Sequence, residues 1–184
     1  MADTRDTSPR TGGVVIPGID SERLTLRGHT ADDFADCAAM WGDAAVTRHI
    51  GGKPFTPEEV WSRLLRYIGH WSVLGFGYWV VREQGTGRFV GEVGFADFKR
   101  ELQPAFDGAP EIGWALAAAA HGRGYATEAV RAALAWGAAH LPAPRTVCMI
   151  DPDNAASIRV ADKCGYREYA RSTYKGHATL LFQR

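Results

Sequence analysis

Apolar residues along the chain recur at two spacings, which predict two kinds of secondary structure. Alternation of polar and apolar positions, or short apolar runs, predicts strands over 23–27, 78–82, 89–95, 111–116, 146–150, 166–173 and 178–182. Helical spacing predicts four helices, which run from Asp32 or Asp33 toward Trp41, from Pro57 through Trp71, from a glycine turn at 121–124 to about His140, and from Asn154 to Lys163. This order predicts a mixed α/β or α+β domain around one sheet.

The chain has 184 residues, the length of one domain or of one domain with a tail. Residues 1–20 are predicted to form a flexible N-terminal tail, and residues 21–184 a single domain. The tail lacks the apolar run of a signal peptide, and the most apolar stretch, Ile112–Ala120, is far shorter than a membrane span. The sequence therefore predicts a cytoplasmic protein without a membrane segment.

Charge and cysteine content exclude several classes of protein. The chain has 21 Lys and Arg and 21 Asp and Glu residues, so its net charge of zero lacks the basic footprint of a nucleic-acid binder. Cys37, Cys148 and Cys164 form no CxxC pair, which argues against a disulfide framework or a cysteine zinc site. The six histidines form no HxxxH or HxH pair, so no metal site is predicted.

The most informative segment is the predicted strand 111–116 followed by a glycine-rich turn, His121-Gly122-Arg123-Gly124, and a helix. A turn of this kind exposes backbone N–H groups at the positive end of the helix dipole, where anions and most often phosphates bind. A P-loop would need a Lys-Ser/Thr pair, and a dinucleotide fingerprint would need a small residue in place of Thr127. On its own, the turn is also compatible with an ordinary helix start, although a phosphate site is the favoured interpretation.

A second segment, 154–166, follows the next predicted strand, and the two segments together resemble the GNAT superfamily of acetyl-CoA-dependent N-acetyltransferases. The family's (Q/R)-x-x-G-x-(G/A) pattern appears as His121-x-x-Gly124-x-Ala126, with histidine in the first place. Its later pattern is matched by Asn154, Ser157, Val160, Lys163, Gly165 and Tyr166. The runs 122–129 and 21–27 are similar to the RimJ/RimL-type branch, named for ribosomal-protein N-terminal acetyltransferases. The resemblance covers roughly residue 22 to the C-terminus.

This resemblance implies a GNAT fold, with a mixed, mostly antiparallel central sheet flanked by helices and a splayed pair of strands that binds acetyl-CoA. It also implies that the glycine turn holds the pyrophosphate of coenzyme A through main-chain N–H groups, and that Leu116 and its neighbours pair with the pantetheine arm. Asn154 would contact the cofactor, although a helix N-cap role suits it equally. The implied cofactor residues are Leu116, His121, Gly122, Arg123, Gly124, Tyr125, Ala126, Thr127, Asn154 and Ser157.

The implied reaction is direct attack of an amine on the thioester, which requires removal of a proton from the amine. Glu111 is the first candidate base and Glu92 the second, although either could be an ordinary strand glutamate. Ser157 is the candidate acid for the departing CoA thiolate, although it could also be a solvent-facing helix serine. Many GNAT enzymes place a tyrosine acid four residues later, and here that position is Ala161.

The acceptor would be a primary amine, either a protein N-terminus or a small molecule, and the sequence does not choose between them. A non-catalytic CoA-binding sensor or interaction domain is the alternative. A homodimer is left open by the sequence. The polar connection 98–110 exceeds the usual hairpin length and is a candidate lid over the site.

Overall fold

The computed structural model describes residues 10–11 and 14–184. Its helices are α1 (Phe34–Trp41), α2 (Ala44–Thr47), α3 (Pro57–Leu74), α4 (Tyr125–His140) and α5 (Ala155–Lys163), with short 3₁₀ turns at Ala31–Asp33 and Ala118–Ala120. Its strands are β1 (Arg10–Thr11), β2 (Val14–Val15), β3 (Ile19–Asp20), β4 (Leu24–Gly28), β5 (Tyr78–Glu83), β6 (Phe89–Ala96), β7 (Glu111–Leu116), β8 (Val147–Ile150), β9 (Arg167–Tyr174) and β10 (His177–Gln183).

Eight of these strands form one sheet in the order β3-β4-β5-β6-β7-β8-β10-β9, and β1 pairs with β2 separately. The described neighbours in the sheet pair antiparallel, except β7 and β8, which run parallel. These two strands are in register at one position, Glu111 opposite Val147. Beyond that position they separate, which opens the sheet between their C-terminal ends. The mixed, mostly antiparallel sheet with a splayed pair of strands is therefore confirmed.

The two faces of the sheet have different partners because side chains alternate along each strand. On one face, Val93, Phe95 and Ile112 pack with buried residues of α4 such as Ala129 and Ala133. On the other face, Ala115 packs with buried residues of α1 and α3. Glu92 and Glu111 directly precede Val93 and Ile112, which face α4. Because side chains alternate along a strand, both carboxylates lie on the face covered by α1 and α3.

Helix α3 begins at Pro57, as the sequence predicts, and local sequence also explains where it ends. Thr56 caps it through a reciprocal pair of bonds with Glu59, and Pro57 occupies the first turn. Gly75 ends the helix in a left-handed conformation, φ +74°, that favours glycine. Near this end, Trp71 packs edge-to-face on Trp79 of β5, with ring centroids 4.8 Å apart. Among the described helices, none is long and apolar enough to cross a membrane.

The folded domain extends further toward the N-terminus than residue 21, where the sequence predicted the tail to end. Ile16 is 1% exposed in the main core, and the Pro17 carbonyl accepts a hydrogen bond from Trp79 Nε1 at 2.8 Å. Strand β3 then pairs with β4 at the sheet edge. The apolar run Val14-Val15-Ile16 was too short to predict this packing, because the contact is made with a tryptophan that is distant in sequence. The rest of the predicted tail lies largely outside the described residues.

Candidate active site

A cavity of about 810 Å³ lies on the α1/α3 face of the sheet and extends into the opening between β7 and β8. Four of the predicted site residues line it, namely Glu92, Glu111, Asn154 and Ser157. The other predicted cofactor residues, Leu116 and the turn 121–127, are not among its lining residues. The structure therefore gathers the predicted catalytic groups into one cavity and leaves the predicted phosphate turn outside it.

Glu111, at the start of β7, stands where the two strands begin to separate, and it is 5% exposed. Arg100, from the connection before β7, binds both of its carboxylate oxygens, through Nε at 2.5 Å and Nη2 at 2.8 Å. Burial raises the pKa of Glu111 above its usual range, and the Arg100 charge only partly offsets that effect. The result is a buried carboxylate with an increased affinity for a proton.

Glu92, on the neighbouring strand β6, is 1% exposed and surrounded by donors. Trp41 Nε1 donates to Oε2 at 2.8 Å, His29 Nε2 lies 2.9 Å from Oε1, and the Cys37 thiol donates to Oε1 at 3.3 Å. Burial pushes the pKa of Glu92 upward, but the bonds from His29 and Trp41 outweigh it and hold the pKa below its usual range. Because both of its carboxylate oxygens already accept hydrogen bonds from these neighbours, Glu92 is the weaker candidate base.

The polar atoms of His29, Cys37 and Glu92 all lie within 4.8 Å of one another, as in a metal-binding cluster. Local spacing could not predict this group, because its members lie on three separate elements. Burial, with the neighbouring Glu92 charge, raises the pKa of the Cys37 thiol, and a metal ligand must be a thiolate. The thiol instead donates to Glu92, so the cluster is explained by hydrogen bonding. The predicted absence of a metal stays a prediction.

The start of α5 closes the cavity on the β8 side. Asn154 is the N-cap of this helix, and its Oδ1 accepts from the Ser157 N–H at 3.0 Å. This bond uses the carbonyl oxygen of the side chain and leaves its amide group uncommitted. Ser157 is half-buried and lines the cavity one turn into the helix. The two residues predicted on this helix are therefore adjacent at the opening between the strands.

The glycine turn has the backbone conformation that its sequence implied. Gly122 and Gly124 have φ of +75° and +79°, a region that side chains with a Cβ rarely adopt. Gly124 is the N-cap of α4, and the first backbone bond into the helix runs from Glu128 N to Gly124 O at 3.1 Å. The preceding N–H groups of the first turn are the unpaired donors expected at a helix start.

Side chains of the segment between β3 and β4 fix this turn. Glu128 accepts from Arg23 Nε at 2.8 Å and from Ser21 Oγ at 2.8 Å, and Arg23 Nη1 donates to the Arg123 carbonyl at 3.0 Å. The similarity of 21–27 to the RimJ/RimL-type branch indicated a matching strand but not this anchoring role. Arg23 therefore belongs to the architecture of the turn although it lies a hundred residues away in sequence.

Two predicted cofactor residues have side chains that serve the protein itself. Tyr125 donates its hydroxyl to Glu83, and His121 Nε2 lies 2.9 Å from the Leu116 carbonyl oxygen. The contact with His121 engages the Leu116 carbonyl, which the resemblance assigned to the pantetheine arm. Any contact of these residues with a cofactor would therefore rely on other main-chain atoms.

The sequence did not indicate the aromatic and basic wall that faces the two glutamates. Arg63 lies over the Trp41 ring at 4.0 Å and donates to the Tyr67 hydroxyl at 2.7 Å. Tyr67 stacks on Tyr78 of β5, with ring centroids 4.1 Å apart. One sequence feature could have predicted part of this wall. Arg63 and Tyr67 are four residues apart on α3, and this spacing places both on one face of the helix.

Comparison with known proteins agrees with this geometry. A profile of the family described as acetyltransferase (GNAT) domain matches residues 23–167. A candidate GnaT-family acetyltransferase structure from Bordetella pertussis is 32% identical, with a TM-score of 0.80 and coverage of 91% of this chain and 99% of that one. The curated N-acetyltransferase p20 of Bacillus licheniformis, itself uncharacterized, is 28% identical over 80% of this chain and 81% of its own length.

Two further matches are partial or distant. YkkB of Bacillus subtilis, an uncharacterized protein, is 38% identical over 91 residues, about half of this chain and 51% of YkkB. The structure of RimL, a ribosomal L7/L12 alpha-N-protein acetyltransferase in complex with CoA, shares the fold at 18% identity, with a TM-score of 0.74 over 91% of this chain and 97% of RimL.

The family profile over residues 23–167 shows that the chain belongs to the GNAT acetyltransferase family. Membership of that family makes it an acetyl-CoA-dependent N-acetyltransferase with an amine acceptor.

Proposed function

We propose that this protein transfers an acetyl group from acetyl-CoA, bound in the opening between β7 and β8, to a primary amine in the cavity beside Glu111. The observation that carries the proposal is the position of Glu111. It is buried with a raised pKa at the point where the two strands separate, and it lines the same cavity as Ser157.

The cofactor would bind mainly through backbone atoms. The unpaired N–H groups from Gly122 to Thr127, at the positive end of α4, suit the pyrophosphate of CoA. The edge of β7 that faces β8 is free of strand pairing beyond Glu111, so the pantetheine arm could pair with it. Asn154, with its amide group uncommitted, stands at the other side of the opening.

Glu111 would take the proton of the attacking amine, directly or through water. An alkyl amine has a pKa near 10 and an α-amino group near 8, so either arrives largely protonated at neutral pH. A carboxylate whose pKa is raised by burial accepts a proton more readily than an exposed one. The two bonds from Arg100 orient the carboxylate and would have to loosen as it takes the proton.

The later steps would use Ser157 and the splayed backbone. As the amine attacks the thioester carbonyl, an unpaired N–H of β7 would stabilise the oxyanion. The attack forms the carbon–nitrogen bond, and collapse of the intermediate restores the carbonyl and breaks the carbon–sulfur bond. Ser157 would protonate the departing thiolate and regain its own proton from water. Glu92 would hold the cavity wall in place through its bonds to Trp41 and His29. A homodimer and a cytoplasmic location remain predictions.

The test of the cofactor site is a pair of variants in the glycine turn, with acetyl-CoA affinity measured by calorimetry. Gly124→Val adds a side chain at φ +79° in the proposed phosphate turn, and Arg123→Ala removes only a side chain from it. We expect Gly124→Val to weaken binding at least tenfold, and Arg123→Ala by less than threefold. Gly85→Val, at φ +76° in the β5–β6 hairpin, controls for the cost of the strained conformation alone.

Release of CoA separates an enzyme from a non-catalytic CoA-binding domain. Acetyl-CoA and a mixture of primary amines are incubated with the protein, and free thiol is followed with a chromogenic disulfide reagent. An enzyme releases CoA in proportion to its amount and stops doing so when Gly124 is replaced by Val. Tight binding of acetyl-CoA without amine-dependent release would contradict the proposed function and favour the sensor alternative.

A further inference from the structure

The charges around the cavity are unbalanced in a way that the acetyl transfer does not explain. Four carboxylates line the cavity, and each has a partner within the described residues. Besides the bonds already given for Glu92 and Glu111, Asp97 pairs with Lys99 at 2.6 Å and Asp151 lies 3.7 Å from His49. The guanidinium groups of Arg63 and Arg66 also line the cavity, and no described carboxylate lies within 4.0 Å of either one.

Arg63 is held so that its edge is available to a ligand. Its guanidinium lies over Trp41 at 4.0 Å and Phe55 at 4.8 Å, so aromatic rings cover its face. One Nη1 hydrogen is donated to the Tyr67 hydroxyl, while the buried Nε has no partner in the described part of the chain. A guanidinium has five N–H donors, and a buried donor without an acceptor is costly. The remaining donors therefore call for an acceptor that comes from outside the chain.

Arg66 adds a second positive charge to the cavity, one turn further along the same face of α3. Its guanidinium lies 5.0 Å from the centre of the Phe98 ring, and neither a hydrogen bond nor an ion pair engages it among the described residues. Arg66 is exposed, but partial desolvation of its guanidinium, together with the charge of Arg63, lowers the pKa of Arg66. Two like charges held near each other repel, and an anion bound between them would remove that cost.

From this arrangement we infer that the acceptor is an amine that also carries a carboxylate, and that Arg63 and Arg66 bind the carboxylate while the amine faces Glu111. The inference rests on the proposed function and narrows its acceptor. Planar guanidinium groups suit a carboxylate because two parallel N–H donors match its two oxygens. A polyamine would instead bring further positive charge beside two unpaired arginines. The carboxylate could belong to a free amino acid or to an acidic side chain near a peptide N-terminus.

The test compares matched acceptors with and without the carboxylate, using CoA release at saturating acetyl-CoA. One arm uses L-phenylalanine, L-phenylalaninamide and 2-phenylethylamine, with the matched leucine series beside it. A second arm uses the peptides Ser-Glu-Gly-Gly-amide and Ser-Gln-Gly-Gly-amide, and spermidine serves as the cationic acceptor. We expect kcat/KM for the acidic member of at least one arm to exceed that of its neutral partner by tenfold or more. Equal use of acidic and neutral members, or a preference for spermidine, would overturn the inference.

The variant Arg66→Met tests whether the preference for an acidic acceptor depends on the two arginines. Arg66 is chosen because its exposed side chain can be replaced with little effect on folding. We expect the ratio of kcat/KM for the acidic acceptor to that for its neutral partner to fall about tenfold in the variant, mostly through a higher KM for the acidic one. Arg63→Met should act in the same direction but also disturbs the packing on Trp41. Arg167→Met, on the exposed surface of β9 and away from the cavity, is the matched control. An unchanged preference in Arg66→Met would contradict the assignment.

A binding measurement keeps the inference testable if no amine is acetylated. The protein saturated with CoA is titrated calorimetrically with N-acetyl-L-phenylalanine and N-acetyl-L-phenylalaninamide, and with the two peptides. Selective binding of the acidic member of a pair, lost in Arg66→Met, supports the anion site even when turnover is absent, and only the proposed reaction then fails. Turnover of acid and amide at equal rates supports the reaction and rejects the anion site. Absence of any selective binding rejects it as well.

Discussion

The surroundings of Glu92 and those of Glu111 are two regions of one cavity with opposite chemistry. Both glutamates lie on neighbouring strands, on the same face of the sheet, and both are at most 5% exposed. Glu92 is held by Trp41, His29 and Cys37, which lower its pKa, whereas Glu111 has one charged partner and a raised pKa. Similar burial therefore accompanies a lowered pKa in one region and a raised pKa in the other, and we propose the carboxylate with the raised pKa as the proton acceptor.

The difference shows that burial alone does not identify a catalytic carboxylate. Desolvation pushes the pKa of both groups upward, and the number and position of the donors decide the outcome. The groups that contact Glu92 are buried side chains of α1 and of His29 after β4, while the donor to Glu111 is Arg100 in the 98–110 connection. This connection, predicted as a candidate lid, supplies a partner that could move, and in that role it stays a prediction.

The largest expected effect is that of Glu111→Gln on turnover. Removal of a general base costs about 10²–10⁴ in rate, so we expect kcat to fall at least a hundredfold. Affinity for acetyl-CoA, measured by calorimetry, should remain within threefold of the parent because Glu111 is not part of the phosphate turn. A variant with more than a tenth of the parent kcat would show that the comparison between the two glutamates is wrong.

The next largest expected effect is a loss of folding stability in the variant Glu92→Gln. In Glu92→Gln the amide NH₂ group faces donors in place of an acceptor oxygen, which leaves a buried donor unsatisfied at a cost of about 2 kcal/mol. We expect chemical denaturation to show this loss, with kcat reduced less than tenfold in the folded protein. Glu168→Gln, at a surface position on β9, is the control. A catalytic loss equal to that of Glu111→Gln would reverse the two roles.

Removal of the Arg100 charge sharpens the comparison through the pH dependence of turnover. In Arg100→Gln the interaction that lowers the pKa of Glu111 is lost while burial remains, so its pKa rises further. Because the base must be ionised, the acid limb of the kcat/KM profile should move to higher pH. Lys99→Gln, next along the chain, should leave the limb in place. A limb that moved to lower pH, or stayed fixed, would remove Glu111 as the titrating group.

The smallest effect is the pH dependence of unfolding, which should have opposite signs for the two residues. Glu92, with its lowered pKa, contributes stability that is present above its ordinary value of 4.5 and is lost as pH falls through the folded pKa. Glu111, with its raised pKa, favours the folded state below 4.5 and loses that contribution as pH rises through the folded pKa. On acidification from neutral pH, the parent should lose stability relative to Glu92→Gln and gain it relative to Glu111→Gln. Urea titrations from pH 7 down to about pH 2 measure both differences, because the Glu111 window lies above 4.5 and the Glu92 window lies below it.

The sequence predicted most of the elements, because their signals are local. The predicted strand 111–116 matches β7, and Pro57 begins α3 with the cap that Thr56 and Glu59 complete. Short elements were missed, such as α2 and β3, since four residues and two residues are too few to show a period. The boundary at residue 21 was wrong because the burial of Ile16 is a tertiary contact.

The sequence by itself determined the fold class, the glycine turn and the identity of the candidate catalytic groups, because each depends on neighbours within a few positions. Only the tertiary structure decided that Arg100 binds Glu111 and that α1 and the segment after β4 together surround Glu92. It also decided that α3 presents to the cavity two arginines without a carboxylate partner among the described residues. Those properties are pKa shifts and charge balances, which depend on distances in space and on exclusion of water. The order of residues within a segment does not determine these distances or the exclusion of water. Two strand glutamates with similar local sequence patterns therefore have different pKa shifts in the folded protein.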